Sequence, residues 1–178
     1  MSITKLILVA TITTLLFGCA AAGVPYTSDP FKKIGNGYAL MNMGRGLPAE
    51  KLAKEALKTF EENNNKNGIA EAHILLGQLY KQEFFGKNVK SAYHSGKAIA
   101  IYEGMGNHTQ AAKAKFAQAN AYLQIDKAKA CNLYEASLGS LKRGRIENPK
   151  EKFQFNPHFK SAEDMISGFK THNCAENS

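Results

Sequence analysis

Apolar residues recur along residues 47–141 at the spacing of an α-helix. In the first such stretch, the residues that share one helical face are Leu52, Ala53, Ala56, Leu57 and Phe60. The same periodicity predicts further helices over residues 69–82, 90–105, 109–124 and 127–141. Asparagines and glycines stand between these stretches and favour turns, because they compete with the helical backbone. The pattern therefore predicts an all-α chain.

The helical stretch also repeats itself. The pattern of residues 56–61, which ends in Phe60-Glu61, returns 42 residues later as residues 98–103, which end in Tyr102-Glu103. A third copy occupies residues 130–135 and contains Tyr134. Self-similarity at this period is typical of helical repeat arrays, in which each helix pair buries its apolar face against the next pair.

Two short motifs within the repeat have a familiar form. Leu76-Gly77-Gln78-Leu79-Tyr80 fits the Leu-Gly-x-x-Tyr core of the first helix of a tetratricopeptide repeat, and Ala98 with Tyr102 fits the Ala-x-x-x-aromatic core of its second helix. Residues 37–141 therefore resemble this family. The resemblance implies an antiparallel helix-pair solenoid of about two and a half to three repeats.

The chain departs from the family pattern at two points. Gly77 and Ala98 are 21 residues apart, whereas the usual interval is about twelve, so extra residues are expected between the two helices. His73 and Lys115 occupy the positions where the family has its repeat-initial tryptophan.

The first 18 residues resemble a bacterial lipoprotein signal peptide. Lys5 precedes an apolar run over residues 6–17, which is shorter than the roughly 20 residues that span a membrane. Leu16-Phe17-Gly18-Cys19 resembles a lipobox, which implies cleavage before Cys19 and acylation of its thiol and new amine. The alternative is an ordinary secretory signal that is cut near residues 20–23. Residues 19–36 contain prolines, glycines and small polar residues, and are predicted to form the lipidated N-terminus and a flexible tether.

Residues 142–178 are predicted to form a basic linker and a C-terminal helix. The basic residues are Lys142, Arg143, Arg145, Lys150 and Lys152. After them, Ser161 and Asp164 resemble a capping box, and an apolar face follows at Met165, Ile166 and Phe169. Such a helix is expected to cap the apolar end of the array.

Two cysteines remain besides Cys19. In an exported protein, Cys131 and Cys174 can form a disulfide that ties the C-terminal helix to the array. The alternative is that Cys131 is a buried thiol and that Cys174 lies in a loose tail.

The residue pattern gives no support for catalysis. The five histidines are scattered with no metal-binding spacing, and no nucleophile or phosphate-loop motif is present. We therefore expect no enzyme activity, no metal and no cofactor. The net charge of +8 and the pI of about 9.3 are not accompanied by the interleaved aromatic residues of a nucleic-acid platform, so no nucleic-acid partner is expected.

The resemblance implies a partner-binding groove lined by the first helix of each pair. The expected groove residues are Glu71, Ile74, Gln78 and Lys81, followed by Lys113, Phe116, Asn120 and Gln124. Ile74 and Phe116 would provide apolar contacts, and the amides of Gln78 and Asn120 would bond to a peptide backbone. Ile74 and Phe116 also stand where the family's carboxylate clamp has lysines, so that clamp is not expected.

Together these features predict an outer-membrane-anchored lipoprotein that faces the periplasm and acts as a scaffold or assembly factor. Its expected partner is an envelope protein or peptide, as for a pilotin or an envelope-complex component. The alternative is a binder of cell-wall glycan or anionic lipid through the basic segment 142–152.

Overall fold

The structure, a computed structural model, describes residues 23–82, 86–151, 153 and 157–175. Within these residues the chain forms helices and no strands. The helices are α1 Pro30–Asn42, α2 Gly46–Glu62, α3 Lys66–Lys81, α4 Asn88–Gly104, α5 His108–Tyr122, α6 Lys127–Glu147 and α7 Ala162–Cys174. The predicted all-α fold class is confirmed.

Consecutive helices are antiparallel, as the contacts between them show. At one end of the α5–α6 pair Thr109 lies against Gly144, and at the other end Tyr134 bonds to Asn120. Along α3 and α4, Glu71 bonds to Tyr102 while Gly77 lies against Ser91. Residue numbers rise along one helix as they fall along its neighbour, so the chain runs up and down.

The helices form two layers. Besides the consecutive pairs, α1 packs against α3 and α3 packs against α5. The odd-numbered helices therefore make one continuous layer, and α2, α4 and α6 make a second layer that packs against it. This arrangement is compatible with a helical repeat array.

Small residues allow the helices to approach closely. A Cβ atom on Gly77 would lie 2.8 Å from Ser95 Oγ and 3.4 Å from the Ser91 carbonyl oxygen. Fully buried alanines occupy similar contacts throughout: Ala49, Ala53, Ala56, Ala70, Ala72, Ala98, Ala111, Ala112, Ala114, Ala119, Ala121 and Ala130. Serine hydroxyl groups also bond to the backbone of the neighbouring helix. Ser91 Oγ donates to Gly77 O and Ser137 Oγ donates to Ala112 O, each at 2.7 Å.

The aromatic residues of the sequence repeat fill the space beyond these close contacts. Phe60, Tyr102 and Tyr134 are fully buried. The hydroxyl groups reach the neighbouring helix: Tyr102 donates to Glu71 Oε1 and Tyr134 donates to Asn120 Oδ1, both at 2.6 Å. The recurring aromatic position is therefore a packing position that also satisfies a buried hydroxyl.

The predicted tether is wrong for residues 30–36, which belong to α1. Asp29 Oδ1 accepts hydrogen bonds from the backbone N–H groups of Phe31 and Lys32, and Pro30 occupies the first turn, where proline is favourable. Gly37 permits close packing, since a Cβ there would lie 2.6 Å from Leu75 Cδ2. The signal segment and Cys19 lie outside the described residues.

The predicted end of the last array helix at residue 141 is also wrong, because α6 continues to Glu147. Residues 142–147 of the predicted basic linker are therefore helical. They continue the helix because Leu141 and Gly144 keep one face buried while Lys142 and Arg143 remain exposed. Lys152 lies outside the described residues.

The predicted C-terminal helix is present as α7. Ser161 Oγ accepts a hydrogen bond from Asp164 N at 3.0 Å. The apolar face of α7 packs into the cluster that contains Tyr134 and Leu141 of α6. The sulfur atoms of Cys131 and Cys174 are bonded, with the two Cα atoms 5.8 Å apart. The structure therefore has the disulfide-linked arrangement, in which α7 is fixed against α6.

Two glycines of α6 give a matched test of close helix packing. A Cβ on Gly144 would lie 2.7 Å from Thr109 N, whereas a Cβ on Gly139 would meet nothing within 4 Å. We expect Gly144→Ala to lower the free energy of unfolding by about 1–3 kcal/mol, and Gly139→Ala to raise it by about 0.5–1 kcal/mol. Urea unfolding checks this, and equal effects of the two substitutions would contradict the packing described.

The disulfide gives a second test. Because the bridge closes a loop of 43 residues, the double change Cys131→Ser and Cys174→Ser should lower the free energy of unfolding by about 2–4 kcal/mol, chiefly through the unfolded chain. Reduction of the wild type should lower its stability by a similar amount and leave the double variant unchanged. A wild type that is insensitive to reductant would count against the bridge.

Candidate functional site

A cavity of about 430 Å³ opens on the layer of odd-numbered helices. It lies between the C-terminal half of α3, the middle of α5 and the start of α7. Five of the eight predicted groove residues line it: Gln78, Lys81, Lys113, Phe116 and Asn120. The residues that sequence analysis selected on α3 and α5 are thus brought together at this cavity.

The cavity combines an apolar wall with a polar, positively charged rim. Phe116 packs edge-on against Phe169 of α7, with ring centroids 5.2 Å apart. The Asn120 carbonyl oxygen accepts the Tyr134 hydroxyl, which fixes the side-chain amide and leaves its N–H groups to donate. Within the described part of the chain, Lys81 and Lys113 have no carboxylate partner. The site can therefore donate hydrogen bonds and attract negative charge.

Three predicted groove residues are wrong as cavity contacts. Ile74 is 1% exposed and packs with Ala98 and Tyr102, because α3 is covered by α4 and α5 on that side. Glu71 is occupied by the Tyr102 hydroxyl and does not line the cavity. Gln124 lies in the exposed turn beyond α5, which ends at Tyr122, so it does not continue the helix face.

The C-terminal segment supplies cavity residues that sequence analysis missed. Phe153 and Met165 form part of the wall, and both also pack in the cluster around α7. The repeat pattern ends before these residues and gives no sign that they return to α3 and α5. Phe153 and Phe155, which follow the basic residues, were the available signal.

A second polar cluster joins α3 to α4 on another face of the molecule. His73 and His94 are 21 residues apart in sequence, yet their Nδ1 atoms are 2.9 Å apart. One ring donates to the other, so the pair shares a single proton at this contact. The His94 ring also stacks on Tyr80, with ring centroids 5.4 Å apart.

Burial lowers the pKa of both imidazoles. The pKa of His73 falls to about 4, first because burial disfavours the charged ring and then because His94 and Lys97 lie nearby. Burial likewise lowers the pKa of His94, and Lys54 and Lys90 add to the effect. Both imidazole rings are therefore neutral at neutral pH, and their burial disfavours the addition of a proton to either ring.

The described residues contain neither a cluster of metal-ligating side chains nor a membrane-spanning helix. No group of three or more potential metal-ligating side chains is found among them. None of the helices that the structure describes is both long enough and apolar enough to span a bilayer.

The chain matches no model of a protein family, and no curated protein or solved structure is significantly similar to it.

The histidine pair predicts a pH dependence of stability. The unfolded chain takes up a proton at His73 near pH 6.5, whereas the folded chain does so only near pH 4. The stability that His73 contributes is thus fully present above pH 6.5. After allowance for solvent screening of this partly exposed ring, it should fall by about 1–3 kcal/mol as the pH drops to 4. His73→Gln should flatten that part of the profile, measured by urea unfolding across this pH range.

The matched control is His172→Gln, which changes an exposed histidine of α7. It should leave the wild-type profile in place. A His73→Gln profile as steep as that of the wild type would show that the buried pair does not govern the effect.

Proposed function

We propose that this chain is a lipid-anchored protein of the bacterial outer membrane, with a tetratricopeptide-like array that holds a segment of a partner protein. The observation that carries the proposal is the convergence of Gln78, Lys81, Lys113, Phe116 and Asn120 on one cavity. These residues come from two helices that occupy equivalent positions in the repeat. A site repeated in this way suits an extended peptide better than a compact small molecule.

Different side chains of the cavity would bind different parts of such a peptide. The amides of Gln78 and Asn120 donate to backbone carbonyl oxygens. Phe116 and Met165 contact an apolar side chain, and the ammonium groups of Lys81 and Lys113 attract carboxylates at the rim. The disulfide and the contact of Phe116 with Phe169 support the wall of the site. The binding surface is therefore rigid before the partner arrives, which lowers the entropic cost of binding.

The proposed location depends on the N-terminal motif. Leu16-Phe17-Gly18-Cys19 supports acylation at Cys19, and Ala20 at the following position supports transfer to the outer membrane. Two or three acyl chains would anchor the protein firmly, because each buried methylene contributes about 0.8 kcal/mol. The array would then face the periplasm and work as a scaffold or assembly factor, as a pilotin or a component of an envelope complex does.

A second candidate function is the binding of cell-wall glycan or anionic lipid through the basic segment. The observation in its favour is that Lys142, Arg143 and Lys150 are exposed. Arg145 is engaged in an ion pair with Glu163 at 2.7 Å, which reduces the free charge of the segment. This candidate predicts salt-sensitive sedimentation with purified sacculi or anionic vesicles.

The cavity is tested by capture of partners with the protein in its own envelope. Mild crosslinking and purification of the wild type should recover a recurrent envelope protein. The double change Lys81→Glu and Lys113→Glu should reduce its recovery about tenfold or more, because opposite charge at the rim repels the same segment.

The matched control reverses two exposed lysines that do not line the cavity, Lys32→Glu and Lys66→Glu. It should leave recovery unchanged. Equal recovery from both double variants, or no recurrent partner of the wild type, would contradict the proposal.

A further inference from the structure

The up-and-down course of the chain places its turns at two opposite ends. The described residues of the turns after α1, α3 and α5 (residues 43–45, 82, 86–87 and 123–126) lie at one end, here called the odd-turn end. The turns after α2 and α4 (residues 63–65 and 105–107) and the end of α6 lie at the other, the even-turn end. The two ends differ in their position relative to the N-terminus and in charge. Exposed large apolar residues occur at both ends, and at the even-turn end they include Met105 and Ile146.

The N-terminal segment begins at the odd-turn end. A Cβ atom on Gly23 would lie 3.7 Å from Met43 Sδ and 3.6 Å from Arg45 Nη1. From there the chain runs back along α1, where Asn36 Nδ2 donates to Pro25 O at 2.9 Å. Cys19 precedes Gly23 by four residues, which reach at most about 14 Å. An anchor at Cys19 would therefore attach the molecule by its odd-turn end.

Large apolar side chains project from the same end. Met43 and Leu47 flank the turn after α1, Val89 follows the turn after α3, and Ile125 lies in the turn after α5. These four side chains are between 44% and 71% exposed. Tyr93, one turn along α4 from Val89, is 57% exposed and carries Lys97 Nζ over its ring. Val89, Tyr93 and Ile125 line one cavity of about 410 Å³, so the exposed apolar residues that follow α3 and α5 lie side by side.

The charge of this end is strongly positive. In the described residues 43–47, 86–90 and 123–129, the charged residues are Arg45, Lys87, Lys90, Lys127 and Lys129 against Asp126. Glu83 lies outside the described residues. At the even-turn end, residues 61–67, 103–108 and 145–151 carry Glu61, Glu62, Glu103, Glu147 and Glu151 against Lys66, Arg145 and Lys150.

We propose that the odd-turn end is a membrane-docking surface that lies on an anionic lipid bilayer. Met43, Leu47, Val89 and Ile125 enter the headgroup region, and the surrounding lysines pair with lipid phosphates. Apolar side chains with lysines around them match an anionic bilayer surface, where hydrocarbon lies beneath negatively charged headgroups.

This docking would orient the array. With its odd-turn end on the bilayer, the helices stand upright, and the even-turn end points away from the membrane. The cavity between α3, α5 and α7 then opens sideways and remains accessible to a partner. Attachment by the N-terminus rests on the proposed acylation of Cys19. The exposed apolar and charged residues belong to the described structure and do not depend on that acylation.

The test uses the absence of tryptophan from the chain. Val89→Trp and Ile146→Trp each create a protein with a single tryptophan, one at each end, and both positions are highly exposed. The mature protein, purified as its host processes it, is mixed with or reconstituted into vesicles of phosphatidylglycerol and brominated phosphatidylcholine. Bromine quenches tryptophan only when the ring enters the bilayer.

We expect tryptophan at position 89 to shift to shorter wavelength and to be quenched at least about threefold more than tryptophan at position 146. Adding Lys90→Gln and Lys127→Gln should weaken the quenching severalfold, since each lysine near an anionic surface strengthens binding about fivefold. The control pair Lys58→Gln and Lys66→Gln, both exposed, should have no effect. Salt at about 0.5 M should act like the first pair.

Two results would overturn the docking surface. Quenching at position 146 as strong as at position 89 would show that the molecule has no preferred orientation or lies on its basic C-terminal segment. No quenching at position 89 would show that the odd-turn end faces water or a protein. The mass of the same sample reports acylation separately, so loss of the anchor and loss of the docking surface give different results.

Discussion

The structure depends on the close approach of antiparallel helices through small side chains. Twelve alanines with no exposed surface lie between the helices, and glycines occupy the tightest points, as where Gly144 meets the Thr109 backbone. Contact at this distance lets Ser91 and Ser137 bond directly to the carbonyl groups of neighbouring helices. A larger side chain at any of these points would separate two helices, and the displacement would pass to the next pair, because each helix packs on its neighbours in sequence. Tyr102 and Tyr134 then fill the space that small residues leave open.

The cavity follows from this arrangement rather than from a local motif. The layer of odd-numbered helices presents the exposed stripes of α3 and α5 side by side, and α7 closes one side through Phe169 and Met165. The disulfide fixes α7 where chain entropy would otherwise favour detachment of a short terminal helix. Lys81 and Lys113 lie at the rim with no carboxylate partner in the described part of the chain. By contrast, Lys33 pairs with Glu55 and Lys115 pairs with Glu103 across other helix contacts. A surface of this kind is suited to a partner that brings its own carboxylates.

Sequence periodicity accounts for the parts of the fold that are local. The helices from α2 to α6, the turns at Asn65 and Asn107, and the cap at Ser161 follow from patterns within a few residues. Helix α1 was missed because Gly35 and Gly37 weaken its apolar stripe, and only tertiary contact with Leu75 explains why glycine is favourable at position 37. The sequence pattern places Ile74 in the groove because it assigns a single buried face to α3, whereas α3 is covered on two sides. Two other features depend on packing over long sequence distances, which no local pattern records. They are the contact between His73 and His94 and the packing of Phe153 in the cluster around α7.

We propose that a helical scaffold is held at the membrane by its N-terminus with a partner site on its side. The mass of the mature chain from a Gram-negative envelope, compared between the wild type and Cys19→Ala, tests this arrangement. We expect a wild-type chain that begins at Cys19, carries two or three acyl chains and partitions with the outer membrane. We also expect Cys19→Ala to remove both the acyl mass and the partition. A wild-type chain that is free of acyl groups and soluble in the periplasm would show that the scaffold is not held at the membrane in this way.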